Sequence, residues 1–197
     1  GMEIINIEDS KGKKLAEQYK IAKVPTLLVA GELDKDEVLK SAWPQIGEIV
    51  DGVFVFRQTI PPYVDVATGN LKGLVSVIYL SDTACTKCYD IKLHESALTN
   101  LGVTPKESKT VDVSSEEGKA LVGKYDITAV PTMLLNGELE EYQNFQQVWP
   151  LVGKIWENDG TYIFTKLDEM GSYYDLEKDK LVEVDLAAKN TNTEVAQ

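Results

Sequence analysis

Cys85 and Cys88 are the only two cysteines in the chain of 197 residues, and they stand three positions apart. On a helix, positions i and i+3 share a face, close enough for two thiols to join as a disulfide. Such a pair can exchange disulfides with other thiols, act as a fixed cross-link, or supply half of a zinc site. Two cysteines need two more ligands to hold zinc, and the single histidine, His94, lies further along the expected helix, where we expect a solvated residue. A cross-link closing so short a loop removes little chain entropy and would stabilise weakly. Disulfide exchange is therefore the chemistry we expect, with the other two readings open. Cys85 would attack as a thiolate and Cys88 would resolve the mixed disulfide.

The flanking sequence says what should position the pair. An apolar run rich in β-branched residues, Leu74 to Leu80, reads as a buried strand. A helical pattern follows from Tyr89 to Leu101, with Ile91, Leu93, Leu98 and Leu101 as its apolar positions. The spacing predicts both cysteines in the first turn of that helix, where free N–H groups and the positive end of the dipole favour a thiolate. Thr86 and Lys87 lie between the cysteines, and the Lys87 ammonium would favour the anion at Cys85 further.

Much of the chain is written twice. Ile5-Asn6-Ile7 through Gly12-Lys13 falls on Val111-Asp112-Val113 through Gly118-Lys119. At the same offset Tyr19 falls on Tyr125, Val24-Pro25-Thr26 on Val130-Pro131-Thr132, Gly31-Glu32-Leu33 on Gly137-Glu138-Leu139, and Trp43-Pro44 on Trp149-Pro150. After a small insertion Val53 to Phe56 falls on Thr161 to Phe164, and Tyr63-Val64-Asp65 on Tyr173-Tyr174-Asp175. We read this as a duplication, with residues 1–73 as the first copy, 74–185 as the second and 186–197 as a flexible tail. The segment from Leu74 to Lys106, which carries the cysteines, has no counterpart in the first copy, and we expect truncation as the cause. A first copy without that strand leaves sheet edges to be covered, by the second copy or by another molecule, so a homo-oligomer built through it is an expectation.

The element pattern is that of an α/β chain. In the first copy it predicts strands at 3–7, 26–30 and 53–59, helices at 10–19 and 35–50 with a bend or restart at Pro44, and a hairpin turn at Thr68-Gly69-Asn70. In the second it predicts helices at 115–124 and 143–157 and strands at 108–113, 132–136, 139–142, 161–166, 172–176 and 181–185. Trp43 and Trp149 should anchor helix to sheet. The net charge of −12 makes nucleic acid and anionic membranes poor partners, and no apolar stretch is long enough to span a bilayer. Cysteine confined to one pair suits an exported, oxidising compartment.

Residues 74–157 resemble a thioredoxin-fold domain. The resemblance rests on the buried strand, the Cys-x-x-Cys ahead of a helix, and Val130-Pro131-Thr132 opening a later strand 43 residues after Cys88. It implies a mixed sheet flanked by helices, here in two tandem repeats with extra strands after each. It also implies a cis Pro131 beside the dithiol, guarding it from metal, and a Val130 backbone offered to an extended substrate segment. The activity implied is thiol–disulfide oxidoreductase or isomerase, acting on protein thiols and disulfides with a redox partner protein and without organic cofactor or metal. The rival class is a non-catalytic binding protein on the same scaffold. The chain departs from the family in two places: Ala84 and Thr86-Lys87 replace the usual neighbours of the cysteines, and Tyr79 stands where a buried carboxylate is usual.

Overall fold

The computed structural model describes residues 1–35 and 37–187, so most of the expected tail lies outside the described residues. The protein is of the α/β class, and the chain divides into two compact units at Gly73–Leu74.

The first unit contains α1 (Ser10–Gln18), β1 (Lys23–Val24), β2 (Leu28–Ala30), α2 (Glu37–Ile46), β3 (Gly47–Val50), β4 (Val53–Phe56), β5 (Tyr63–Asp65) and β6 (Leu71–Lys72). Its strands form two small antiparallel sheets, in the orders β2-β4-β3 and β1-β5-β6. The strand expected at 3–7 does not form. A strand is held by a ladder partner, and among the described residues this segment has none.

The second unit contains β7 (Val75–Ser81), α3 (Leu93–Asn100), β8 (Glu107–Asp112), α4 (Glu116–Tyr125), β9 (Ala129–Val130), β10 (Thr132–Gly137), α5 (Gln143–Val152), β11 (Gly153–Ile155), β12 (Tyr162–Phe164), β13 (Tyr173–Asp175) and β14 (Lys180–Val182). A five-stranded sheet runs β11-β12-β10-β7-β8, with β7 and β8 parallel and the other pairs antiparallel. A second sheet runs β14-β13-β9. Side chains of β7 and β10 alternate between two cores. Val75, Val77, Tyr79, Met133 and Leu135 join Phe145, Trp149 and Phe164 on one face. Leu80 and Leu134 join Val111, Tyr125 and Ile163 on the other. Burial on both faces is why β7 reads as an apolar run rather than an alternation.

Three expectations about elements need correction. The strand expected at 139–142 is a single 3₁₀ turn, Leu139–Glu141, which drives Leu139 wholly into the core. The helices expected at 35–50 and 143–157 stop at Ile46 and Val152, two residues past Pro44 and Pro150, and the chain continues as β3 and β11. Glycine makes that switch possible. A Cβ at Gly47 would run into Val55 O and the Phe54 ring, and one at Gly153 into the Trp149 ring and Ile163 O. Trp43 and Trp149 are both buried, Trp43 stacked on Phe54 at 4.5 Å and Trp149 on Phe145 at 4.8 Å.

Candidate dithiol site

Cys85 and Cys88 are joined as a disulfide, and both are half-buried. They do not lie in the first turn of a helix. Residues 82–92 form a chain of turns, and α3 begins only at Leu93. The reason is local. Ala84 N donates to Asp82 Oδ1 (2.9 Å), Lys92 N donates to Asp90 Oδ1 (3.0 Å), and such Asx turns compete with helix at both ends of the loop. The dipole and free N–H groups of α3 are therefore displaced from the sulfurs by more than a turn.

The loop is held from three sides. Thr83 N donates to Asp112 Oδ2 (2.9 Å) at the end of β8. Hydrogen bonds from Ser114 and Thr83 hold the Asp112 carboxyl well below the usual carboxylate range. Immediately after Cys88, Tyr89 N donates to Ser172 O (2.8 Å), just ahead of β13. Lys87 Nζ lies 2.8 Å from Glu183 Oε1, just beyond β14. That carboxylate raises the Lys87 pKa and sets a compensating negative charge beside the ammonium expected to favour the Cys85 anion. Thr86 and Lys87 face solvent at the tip of the loop.

The Val130–Pro131 bond is cis, as is Val24–Pro25. Register places Pro131 at the same end of the sheet as the dithiol, because Thr132 pairs with Leu80 and the cysteine loop leaves β7 just beyond, at Ser81. A direct link joins the two: Tyr89 Oη donates to Pro131 O (2.5 Å). The same oxygen lies 2.8 Å from His94 Nε2. With the phenolic proton committed to the proline carbonyl, His94 donates from Nε2, and its Nδ1 has no partner among the described residues. His94 is fully buried and meets the Phe164 ring edge-on at 4.7 Å, which overturns the expectation of a solvated residue. Burial pushes its imidazole down to about 4 and pushes the Tyr89 phenol up. Among the described residues no group of three or more His, Cys, Asp or Glu side chains could hold a metal ion.

Comparison with protein-family models, curated proteins and solved structures finds no match. The site is therefore read from its own geometry.

Val130 does not stand as the resemblance implied. It pairs with Tyr174 of β13, and Leu176 N donates to Thr128 O (2.8 Å) two residues away in the same ladder. Alternation along that ladder turns the main-chain groups of Val130 toward Tyr174, so they are engaged within the chain. Val24 pairs with Val64 in the same way in the first unit. Tyr79 lies in the core with its phenol pushed up by burial, so no carboxylate stands at that position. The structure thus gathers Cys85, Cys88, Thr86, Lys87 and Pro131 at one end of the sheet. It adds Tyr89, Ser172 and Glu183, which spacing alone did not single out, and His94, which the sequence reading placed in solvent. Tyr89 was adjacent to the motif, and Asp90 just after it was a turn signal against an unbroken helix. Among the described residues, no helix is long and apolar enough to cross a membrane.

Proposed function

We propose that residues 74–185 form a thioredoxin-like domain whose Cys85–Cys88 pair exchanges disulfides with protein substrates, and that residues 1–73 are a partial copy of it. The observation that carries this reading is the tether from the residue after Cys88 to the carbonyl of cis-Pro131, which ties a half-exposed disulfide to a proline distant in sequence. In the reduced form, Cys85 as thiolate attacks one sulfur of a substrate disulfide, forming a mixed disulfide and releasing the other sulfur as thiolate. Cys88, losing its proton, attacks the Cys85 sulfur, re-forms Cys85–Cys88 and releases the second substrate thiolate. Two electrons pass from the protein dithiol to the substrate. The reverse sequence oxidises a substrate dithiol, and a redox partner protein must restore the starting form in either direction.

Because Val130 is paired with β13, the substrate meets the loop tip at Thr86 and Lys87 rather than adding a strand at Val130. The same pairing favours a second reading, a non-catalytic binding or scaffold protein in which Cys85–Cys88 is an inert cross-link. Timed alkylation of the reduced protein separates the two. Fast labelling of one thiol with the other spared fits exchange, and slow, equal labelling of both fits the inert cross-link.

A further inference from the structure

The two sulfurs of the disulfide are held unequally. Ahead of Cys85 the bonds that fix the chain lie at the surface. Thr83 N donates to Asp112 Oδ2 and Ala84 N to Asp82 Oδ1 (both 2.9 Å), Cys85 N donates to Asp82 O (3.1 Å), and Thr83 and Ala84 are exposed. Water competes for such bonds, so each holds weakly. After Cys88 the hold is buried. Tyr89 is 9% exposed and joins the core that contains Val75, Val77 and Phe145. Its N–H donates to Ser172 O (2.8 Å), and its hydroxyl donates to Pro131 O and accepts from His94 Nε2, so separate elements fix its backbone and its side chain. Gly171 closes a further side, since a Cβ there would stand 3.0 Å from the Tyr89 Cβ. Between the two holds, Cys88 N donates to Cys85 O at the long distance of 3.4 Å.

We infer, on the disulfide-exchange reading proposed above, that Tyr89 is the positioning residue for the resolving thiol. It keeps Cys88 in place when the disulfide opens, while the segment that carries Cys85 is free to follow a substrate. Tyr89 acts through the peptide bond it shares with Cys88. In the mixed disulfide, Cys85 is bonded to the substrate sulfur and Cys88 is a free thiol. Resolution forms the Cys85–Cys88 bond and breaks the bond to the substrate, whose sulfur leaves as thiolate; the Cys88 proton passes to solvent. Proximity sets the rate of such a step, and anchoring the next residue presents Cys88 at high effective concentration. Removing the hydroxyl anchor should slow resolution about five- to tenfold, the worth of one hydrogen bond.

The test mixes the reduced full chain with excess glutathione disulfide, quenches with acid at intervals, and reads dithiol, glutathione mixed disulfide and internal disulfide by mass. Tyr89→Phe keeps the ring and removes the anchor. Tyr125→Phe is the matched control: it takes a hydroxyl bonded to Lys124 and Asp159 from a tyrosine that is also buried, in the core on the other face of the sheet. The expected result is accumulation of mixed disulfide in Tyr89→Phe, by resolution slowed about five- to tenfold, with its formation changed less than about twofold. Tyr125→Phe should match the unaltered chain. Normal resolution in Tyr89→Phe, or slowing shared by Tyr125→Phe, overturns the inference and leaves the exchange reading standing. An unaltered chain that forms neither adduct nor internal disulfide overturns both. Hydrogen exchange tests the same inference without a variant: reduction should speed the amides of Thr83 to Thr86 and leave the Tyr89 amide protected. Equal release of the Tyr89 amide would show that the disulfide, and not the core, holds Cys88, and would overturn the inference.

Discussion

The two units share a frame and differ in what covers it. In the first, Thr26 Oγ1 donates to Phe56 O (2.8 Å), and in the second Thr132 Oγ1 donates to Phe164 O (2.7 Å). Each has a cis X–Pro bond just before that threonine, and each closes a turn with an aspartate, Asp65 accepting from Thr68 N and Asp175 from Lys178 N. Only the second has β7, the cysteine loop, α3 and β8. The lesson is that local sequence suffices for the frame, while burial of a strand depends on its neighbour. Leu28 and Leu134 are the same residue at matching places, yet only Leu134 is sealed, because β7 lies beside it.

That comparison can be broken most visibly by truncation in the core. Leu134→Ala should destabilise the second unit by about 3–4 kcal/mol, and Leu28→Ala the first by about 1 kcal/mol. Hydrogen exchange resolved by unit is the measurement, because it reads opening in each of the two compact units on its own. Equal losses would mean that the β2 edge is already covered.

A pH effect confined to the second unit comes next. His94 is held down to about 4 against an ordinary value near 6.5, so between those limits the unfolded chain binds more protons than the folded one. Stability is then full above about pH 6.5 and falls as the pH drops, by about 3 kcal/mol once it passes 4. His94→Leu should flatten that profile, and a profile unchanged in that variant would show that His94 is not its source. Tyr89→Phe, which removes the hydroxyl between Pro131 and His94, should cost the second unit about 2 kcal/mol in denaturant unfolding and leave the first unit unchanged. Smallest is Lys87→Ala. Its ion pair with Glu183 is largely exposed on both sides, so thermal unfolding should not move.

Much of this was legible in the sequence. The offset between Val24-Pro25-Thr26 and Val130-Pro131-Thr132 located corresponding strands, and the run from Leu74 to Leu80 gave a strand buried on both faces. What escaped had physical reasons. The start of α3 was hidden because Ile91 and Leu93 fit a helical period while Asp82 and Asp90 spend their carboxylates on turns. Gly47 and Gly153, at matching places, marked helix ends that the apolar pattern overran. His94 gave no signal, since its burial comes from a partner five residues earlier and from Phe164 of β12 on the same face of the sheet. The closing of Val130 by β13 required a ladder register that no spacing reveals.

The claim that Cys85–Cys88 is an exchanging pair is tested most directly by its equilibrium reduction potential in glutathione or dithiothreitol buffers, read by thiol labelling and mass. The loop lies away from the helix N-terminus, with Asp82 and Asp112 bonded to its backbone and Glu183 offsetting Lys87, so a thiolate is stabilised less than at a helix N-terminus beside a free ammonium. The account predicts a reversible two-electron couple nearer about −270 mV than −120 mV, with one disulfide lost and regained in folded protein. A pair that cannot be reduced and re-formed without unfolding the second unit would contradict it.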